Sequence, residues 1–274
     1  IRDMIQGYLD KKPDLKNICF SGGVVLNSLM MGKMWDWFKG RVEDMYVCPV
    51  PYDSGLAIGS AQWLWHQHLD NPRIKWEDNF TPYLGIPHDQ DEVLDTIIRF
   101  TDKVNYDFVS DIDVLGLLAE QKIVSVFGGG SESGRRALGN RSILADPRNP
   151  DMKSIINEKV KHRQWFRPFA PSILREEVGN YFEHDVDSPY MTYCLKFRDE
   201  VQSRVPAVVH KDGTARLQTV TENDNKRYYD LLKKWNNLTG CPILLNTSFN
   251  DTEPIVETPE HGINCFLGTN IDHL

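Results

Sequence analysis

Two consecutive strand–turn–helix units near the start of the chain constrain its fold most strongly. The first places the short apolar run Ile18–Phe20 before Ser21–Asn27, a turn with two adjacent glycines that opens a helix. The second runs from Met45–Val50 through a turn that contains Asp53 into a helix over about 56–68. This alternation predicts an α/β architecture, in which helices cover paired strands.

The rest of the chain continues the mixed pattern. Helices are predicted over 91–102, 114–121, 150–161, 228–238 and 260–267, and strands over 123–127, 208–210, 218–220 and 242–246. We expect an aromatic and proline-rich loop at 165–171, and a helix C-cap at Gly240. Asp, Asn, Pro and His dominate 69–91, which is therefore the best linker candidate.

Composition narrows the class of protein. The 274 residues are 41% hydrophobic, which suits one large domain or two modest ones. A formal net charge of -8 argues against nucleic-acid binding by bulk electrostatics, because the protein and the phosphate backbone repel each other. Five scattered cysteines without a CxxC pair favour a reducing compartment, and we expect a cytoplasmic protein. Neither a membrane-length apolar run nor a signal-peptide pattern is present in the sequence.

Gly128–Arg141, with the sequence GGGSESGRRALGNR, follows the apolar run Ile123–Phe127. Glycine lets a backbone approach a ligand closely, and arginine offers a planar fork of donors for phosphate or carboxylate. The stretch is therefore a candidate anion cradle. An ordinary glycine-rich loop with solvated arginines would account for the same residues equally well.

Four polar or cationic segments share one feature, because each follows an apolar run. They are Arg136–Arg141, Lys161 with Arg163 and Arg167, His210–Arg216, and Asn246–Asn250. Each basic residue taken alone is most simply a surface charge. Ligand sites of α/β proteins form at strand ends, however, so the segments could converge on one anion. The chain has neither a P-loop GxxxxGK[ST] nor a GxGxxG fingerprint.

Asp53 lies at a turn between a strand and a helix. A carboxylate in this position can hold a metal or a metal–phosphate complex. Capping of the following helix by Asp53 or Ser54 is the simpler interpretation. His66 and His68 are two residues apart on a helix and do not face one site.

Read in order, six motifs resemble the carbamoyltransferases of the NodU/CmcH type, which O-carbamoylate sugars and antibiotics. They are SGGVVLN (21–27), PYDSGLAIGSA (51–61), RALGNRSILADPR (136–148), FRPFAPSIL (166–174), VVHKDGTARLQTV (208–220) and NTSFN (246–250). The resemblance extends over nearly the whole chain.

The resemblance implies the end of an actin/Hsp70-like (Kae1-like) domain at 1–85, a linker region at 86–104, and a YrdC-like α/β domain with a twisted mixed sheet at 105–274. In this family the YrdC-like part forms carbamoyl-adenylate from carbamoyl phosphate and Mg-bound ATP. The Kae1-like part, which carries iron or another divalent metal, passes the carbamoyl group to an acceptor hydroxyl of a sugar or natural product. A homodimer is possible, and membrane and nucleic-acid partners are not expected.

Site residues follow from the same resemblance. The expected catalytic cations are Arg136, Arg141, Lys161 and Arg167. Substrate or nucleotide binding is expected at Arg216, His210, Asn246, Thr247, Ser248, Gly22, Gly23 and Asn27. Asp53 would be the metal ligand. Fixed cations suit adenylation, because negative charge builds at phosphorus in the transition state.

Two features depart from the family pattern. The HxxxH metal motif is absent, and the first residues read as a helix entered midway, so we expect the C-terminal piece of a longer protein. Gly130 stands where the family often has arginine, and Arg135 stands where it has proline. A threonylcarbamoyl-adenylate synthase of the YrdC type and a non-catalytic nucleotide-binding module remain alternatives.

Overall fold

Two β-sheets of unequal size organise the computed structural model, which describes residues 1–73 and 81–274. The small sheet pairs β1 (Asn17–Phe20) in parallel with β2 (Asp44–Val47). Three helices accompany it: α1 (Arg2–Lys11), α2 (Ser28–Trp37) and α3 (Gly55–Trp63), which continues as a π-helical turn at Leu64–His68. Both predicted strand–turn–helix units are confirmed.

The large sheet contains six strands in the order β3-β4-β8-β5-β7-β6. The strands are β3 (Val124–Phe127), β4 (Arg141–Ala145), β5 (Ala170–Leu174), β6 (Tyr193–Lys196), β7 (Thr214–Val220) and β8 (Ile243–Ser248). Only β5 and β7 pair in parallel among these neighbours. The sheet is therefore mixed, as the family resemblance implies.

Helices surround this sheet. They are α4 (Gln90–Arg99), α5 (Asp111–Ala119), α6 (Met152–Lys159), α7 (Val178–Tyr181), α8 (Lys226–Thr239) and α9 (Pro259–Gly268). Gly240 ends α8 with a left-handed φ of 68°, which confirms the predicted C-cap. Each helix in the described part of the chain is too short or too polar to cross a bilayer.

Both faces of the large sheet are covered. Successive strand residues point to opposite faces, so Ile143 and Leu144 of β4 enter different apolar clusters. Leu144 shares its cluster with Leu232 and Trp235 of α8. Ile143 belongs to a larger core that also contains Met34 of α2. Because both faces are covered, every residue of β4 and of β5 is buried.

Helix α2 packs directly on the edge strand β6. A Cβ atom at Gly32 would clash with the carbonyl oxygen of Cys194, so the two backbones approach as closely as glycine permits. The hydroxyl of Tyr193 donates to the carbonyl of Met45 over 2.8 Å, and the ring of Trp35 meets Tyr193 edge-on at 5.8 Å. The small and large sheets thus share one core.

The structure corrects two local predictions. Residues 208–210 do not form a strand, because Pro206 begins a 3₁₀ turn at Pro206–Val208. After this 3₁₀ turn, residues 210–214 form a second turn, in which the N–H of His210 donates to the carbonyl of Thr214 over 2.8 Å. The loop predicted at 165–171 ends earlier, since Ala170 already belongs to β5. The sequence patterns do not predict β4, β5 or β6 as strands.

Residues 81–88 of the linker candidate lie against the glycine-rich loop. The N–H of Ser133 donates to the carbonyl of Pro82 over 2.7 Å, and the N–H of Gly85 donates to Ser131 over 3.0 Å. Part of the linker candidate and of the expected 1–85 domain, residues 74–80, falls outside the described residues.

Candidate active site

The loop between β3 and β4 folds around the carboxylate of Glu132. One carboxylate oxygen accepts hydrogen bonds from the backbone N–H groups of Leu138 (2.7 Å), Asn140 (2.9 Å) and Arg141 (3.3 Å). Burial raises the pKa of Glu132. Its other oxygen is buried without a hydrogen-bond partner in the described part of the chain. Three donors on one acceptor fix the backbone that follows Arg136.

A buried network of side-chain amides on the large sheet hydrogen-bonds to the same backbone segment. The side-chain amide of Asn246 in β8 donates to the carbonyl of Ala137 over 3.2 Å, and Gln218 in β7 donates to the carbonyl of Leu138 over 2.9 Å. Ser172 in β5 joins the two side chains, at 3.0 Å from Asn246 and 2.6 Å from Gln218. The sheet thereby sets the position of the Arg136 segment.

Arg141 points into the loop and is fully buried. Its guanidinium lies 3.7 Å from the centroid of the Phe127 ring and donates to the carbonyls of Gly128 (2.8 Å) and Asn140 (3.0 Å). Burial lowers its pKa. These contacts engage the guanidinium inside the protein, so the geometry makes Arg141 a support for the glycine-rich backbone.

Arg216 in β7 forms no ion pair with a carboxylate of the described residues. Its Nε is buried and lacks a hydrogen-bond partner within residues 1–73 and 81–274. Burial, together with the positive charges of the nearby Arg136 and Arg163, lowers its pKa to about 9. Burial also lowers the pKa of Arg136, with a contribution from Arg135. Clustered guanidiniums repel one another, which favours a bound anion between them.

Lys161 reaches the end of β8. Its ammonium donates to the carbonyls of Ser248 (2.5 Å) and Asn250 (2.7 Å), and to the side-chain oxygen of Asn250 over 3.0 Å. Burial lowers the pKa of Lys161 to about 7, and the positive charge of Arg163 acts in the same direction. The side chain therefore changes charge near neutral pH.

Arg163 completes the cluster, and its position depends on Asn157. Nε of Arg163 donates to Oδ1 of this fully buried asparagine over 2.7 Å. Burial lowers the pKa of Arg163 to about 10, with a contribution from Arg167. Arg167 itself is exposed, but Asn157 also donates to its backbone carbonyl over 2.9 Å. Asn157 thus organises both arginines.

His210 lies near Arg216 with its ring half-buried. Its Nδ1 is 3.2 Å from Oγ1 of Thr214 and 3.6 Å from Sγ of Cys194. Burial lowers the pKa of His210, so the neutral ring is favoured. Cys194 pairs with Arg216 across β6 and β7, which puts the thiol beside the cation cluster.

The last residues of β8 divide between its two faces. Asn246 and Ser248 share one face, and Thr247 points to the other. The hydroxyl of Ser248 donates to Oδ1 of Asn250 over 2.6 Å, and so belongs to the group that surrounds Lys161. Thr247 is half-buried and pairs with Ile143 of β4.

The glycine turn after β1 lies beside the turn after β2. Gly22 has a φ of 98°, which favours glycine, and its N–H donates to the carbonyl of Pro51 over 2.6 Å. Gly23 approaches the Cβ atom of Tyr52. Asn27 caps α2, since its side-chain oxygen accepts from the N–H of Met30 over 3.1 Å.

Asp53 is exposed in this second turn. Within residues 1–73 and 81–274, no group of three or more His, Cys, Asp or Glu side chains could hold a metal ion. One carboxylate falls short of the several ligands that a bound divalent metal takes. The residues present therefore do not fit a metal centre by themselves.

Arg135 connects the two regions. Its guanidinium lies 4.5 Å from the centroid of the Tyr52 ring, next to Asp53. A side chain at Gly134 would run into the carbonyl of Pro49, so the loop and the turn pack closely. Arg135 therefore contacts the turn after β2, whereas Arg136 lies near Arg216.

The site residues predicted from the sequence do not include Glu132, Arg163 or Asn157. Arg163 stands in the basic segment that the sequence singles out, and its half-buried position distinguishes it from a surface charge. Glu132 is the acidic residue inside a loop of glycines and arginines, and this contrast is its sequence signal. Asn157 gives no comparable signal, because its contacts lie in an adjacent loop.

Comparison with known proteins gives two matches to family models. The model described as Carbamoyltransferase C-terminus matches residues 116–274, and the model described as Carbamoyltransferase N-terminus matches residues 5–62. The first contains the cation cluster, and the second contains the turns with Gly22 and Asp53.

Named relatives agree with these models. An uncharacterized protein of Synechocystis is 41% identical over 95% of this chain and 46% of its own length. Nodulation protein NolO of Bradyrhizobium diazoefficiens is 36% identical over 96% of the chain and 49% of its own length. Nodulation protein U of Rhizobium fredii is 34% identical, over 87% and 39% respectively.

The chain spans about half the length of the curated relatives it matches, or less. The C-terminal model alone accounts for more than half of the residues. Together with the similarity to these relatives, this match shows that the chain belongs to the carbamoyltransferase family.

Proposed function

We propose that the chain is the adenylating part of an ATP-dependent O-carbamoyltransferase. Residues 105–274 would act as a YrdC-like unit that makes carbamoyl-adenylate, and residues 1–85 would belong to a Kae1-like unit that transfers the carbamoyl group to an acceptor hydroxyl. The observation that carries the proposal is the half-buried guanidinium of Arg216, near Arg136 and Arg163, whose buried Nε has no partner among the described residues.

The energetics of this cluster favour an anionic substrate. A buried charge is costly unless it is paired, and several like charges add repulsion. A phosphate group would supply the missing negative charge and accept hydrogen bonds from the guanidiniums. Carbamoyl phosphate and the triphosphate of Mg-bound ATP both have this chemistry.

The proposed reaction balances without a nucleophilic side chain. Water cleaves carbamoyl phosphate to carbamate and phosphate. A carbamate oxygen then attacks the α-phosphorus of ATP, the bond from that phosphorus to the bridging oxygen breaks, and pyrophosphate leaves. Arg136, Arg163 and Arg216 would stabilise the charge that builds at phosphorus. Arg167 would bind the leaving group, and the charge of Lys161, whose donors are held by Ser248 and Asn250, would attract it.

The remaining predicted residues take supporting roles in this proposal. Asn246 would hold the Arg136 backbone, Ser248 would hold Lys161, and Arg141 would keep the glycine-rich loop in shape. His210 would bind substrate as a neutral donor or acceptor. Gly22, Gly23 and Asn27 would line a nucleotide site in the Kae1-like unit, for which the neighbouring turns after β1 and β2 are the support.

Pyrophosphate release from Mg-ATP tests the function. We expect release that depends on carbamoyl phosphate, and a loss of at least about 100-fold in Arg136→Ala, the magnitude typical of a lost charge-stabilising donor. Arg99→Ala, at an exposed arginine paired with Glu260, is the matched control and should retain full activity. Equal release by the parent and Arg136→Ala would refute the assignment.

The same assay separates the alternatives. Release with threonine and bicarbonate, and none with carbamoyl phosphate, would instead identify a threonylcarbamoyl-adenylate synthase. ATP binding by calorimetry without pyrophosphate release under either condition would identify a binding module.

A further inference from the structure

A chain of hydrogen bonds leads from Asp212 to the ring of His210. The hydroxyl of Thr214 donates to Oδ1 of Asp212 over 2.7 Å. This bond lowers the pKa of Asp212, so the carboxylate is ionised at neutral pH and only accepts hydrogen bonds. On its other side, Oγ1 of Thr214 lies 3.2 Å from Nδ1 of His210. Thr214 thus links an anionic acceptor to the imidazole.

These bonds decide which nitrogen of His210 carries the proton. A hydroxyl has one hydrogen to donate, and that of Thr214 is already given to Asp212. Toward Nδ1, Oγ1 of Thr214 therefore only accepts, which makes Nδ1 the protonated nitrogen. The thiol of Cys194 also donates to Thr214, over 3.2 Å, and lies farther from Nδ1, at 3.6 Å. The neutral ring accordingly keeps its lone pair on Nε2.

Nε2 of His210 is left for a ligand. Within residues 1–73 and 81–274 it makes no hydrogen bond, since the ring contacts there involve Nδ1. Burial lowers the pKa of His210, and the positive charges of Arg216 and Lys153 act in the same direction, against the charge of Asp212. The ring is thus a neutral base at neutral pH, near the guanidinium of Arg216.

We propose that His210 is the general base of the carbamoyl phosphate step, and that Thr214 and Asp212 are positioning residues that keep Nε2 unprotonated. The proposal rests on the adenylation function, whose first step it completes. Nε2 takes a proton from a water whose oxygen attacks the carbonyl carbon of carbamoyl phosphate. The bond from that carbon to the bridging oxygen breaks, and phosphate leaves with the proton that Nε2 returns. The carbamic acid loses its remaining proton to solvent and becomes the carbamate that attacks ATP.

A bypass assay tests the role of His210. Ammonium carbamate supplies carbamate directly, so pyrophosphate release from Mg-ATP then needs no cleavage of carbamoyl phosphate. We expect His210→Gln to lower release about 100-fold with carbamoyl phosphate, within the usual range for a lost general base, and to keep the parent rate with ammonium carbamate. His68→Gln, at an exposed histidine of the π-helical turn, is the matched control and should equal the parent with both substrates.

The outcomes of this assay separate the two proposals. Equal losses with both substrates in His210→Gln would make His210 a binding or structural residue and would overturn its role as a base. Parent-like release with carbamoyl phosphate would overturn that role as well, while the adenylation function stands. Release by the parent from ammonium carbamate alone would refute the cleavage step only. A parent that releases pyrophosphate with neither substrate overturns the function and, with it, this step.

The positioning role of Thr214 has its own readout in the tautomer of His210. Nitrogen NMR of protein with labelled histidine should show an unprotonated Nε2 for His210 in the parent. Thr214→Val removes the acceptor of Nδ1, so the signal should shift toward protonated Nε2, and kcat with carbamoyl phosphate should fall while KM is unchanged. Thr214→Ser should restore both, and Cys194→Ala should leave the tautomer unchanged. An unaltered Nε2 signal in Thr214→Val would overturn the positioning role.

Discussion

The guanidinium of Arg135 lies over the ring of Tyr52, 4.5 Å from its centroid, although the two residues belong to segments matched by different family models. Arg135 immediately precedes Arg136 of the cation cluster, and Tyr52 immediately precedes Asp53. This pair is thus a direct contact between the two regions where the sequence predicts chemistry.

A double-mutant cycle on this pair should detect the contact. We expect a coupling free energy of about 0.5–1 kcal/mol between Arg135→Ala and Tyr52→Ala, the usual magnitude for a cation–π pair at an exposed site. Urea unfolding of the parent, both single variants and the double variant measures it. Arg135→Ala combined with Tyr8→Ala, at an exposed and distant tyrosine, should be additive. Strict additivity in both cycles would contradict the contact.

Removal of the unpaired cation should stabilise the ligand-free protein. Arg216→Met eliminates a half-buried charge that is repelled by Arg136 and Arg163, and a methionine fills much of the same space. We expect a melting temperature higher by about 2–4 °C for each kcal/mol gained. The variant should also lose the additional stability that sulfate confers on the parent. A lower melting temperature would show that Arg216 is satisfied without an anion.

Anion binding should weaken as pH rises through about 7, because the pKa of Lys161 is lowered to about 7 by burial. Below that pH the ammonium is charged and attracts an anion, and above it the amine is neutral. Sulfate stays a dianion from pH 6 to 8.5, so its dissociation constant should rise several-fold over this range. Lys161→Met should flatten the dependence, and Lys159→Met, at an exposed lysine, should leave it intact.

The same pKa has a defined effect on stability. The unfolded chain keeps the Lys161 proton up to its ordinary pKa of 10.5, whereas the folded chain releases it near 7. The unfolded state therefore binds more protons in this window, and the contribution of Lys161 to folding stability rises with pH between about 7 and 10.5. A Lys161→Met variant should be more stable relative to the parent at pH 6 than at pH 9.

Glu132 should matter through its acceptor oxygen more than through its charge. Glu132→Gln retains an oxygen for the N–H groups of Leu138, Asn140 and Arg141, whereas Glu132→Ala removes the acceptor of all three donors. We expect the alanine variant to lose about 1–3 kcal/mol for each unsatisfied donor, and the glutamine variant to lose much less. Equal destabilisation would show that the negative charge is what holds the loop.

Gly32→Ala should be destabilising by about 1–3 kcal/mol, because its Cβ would meet the carbonyl of Cys194 and push α2 away from β6. Gly7→Ala is a suitable contrast, since Gly7 lies in α1 with no neighbour in the path of a Cβ. That substitution should stabilise the protein by about 0.5–1 kcal/mol. Urea unfolding distinguishes the two. A neutral Gly32→Ala would mean that α2 and β6 do not pack closely.

Local patterns predicted most of the elements but not the contacts that assemble the site. The run Ile18–Phe20 and the αL cap at Gly240 depend on near neighbours, so they are readable from the sequence. Asn246 and Ser172 meet across two strands that are separated by 74 positions in the chain. Their pairing depends on sheet order, which local hydrophobicity does not encode.

The arginines of the glycine-rich loop illustrate the same limit. Arg136 and Arg141 are five positions apart in one motif, and the sequence alone predicts the same role for both. Arg141 opens β4 opposite Phe127, and stacking on that ring turns it inward. Arg136 precedes the strand and stays near Arg216. The tertiary contacts of each arginine, which the local sequence does not specify, thus determine which guanidinium can face a ligand.

During synthesis, the ribosome delivers Arg136 and Arg216 before it delivers residues 243–248. β8 lies between β4 and β5, so the pairs β3-β4 and β5-β7 cannot be joined into one sheet until it arrives. A nascent chain that stops short of Asn246 lacks the amide that holds the carbonyl of Ala137. The proposed anion site would therefore be a late product of translation, because a partly made chain carries the cations before the sheet that positions them is complete.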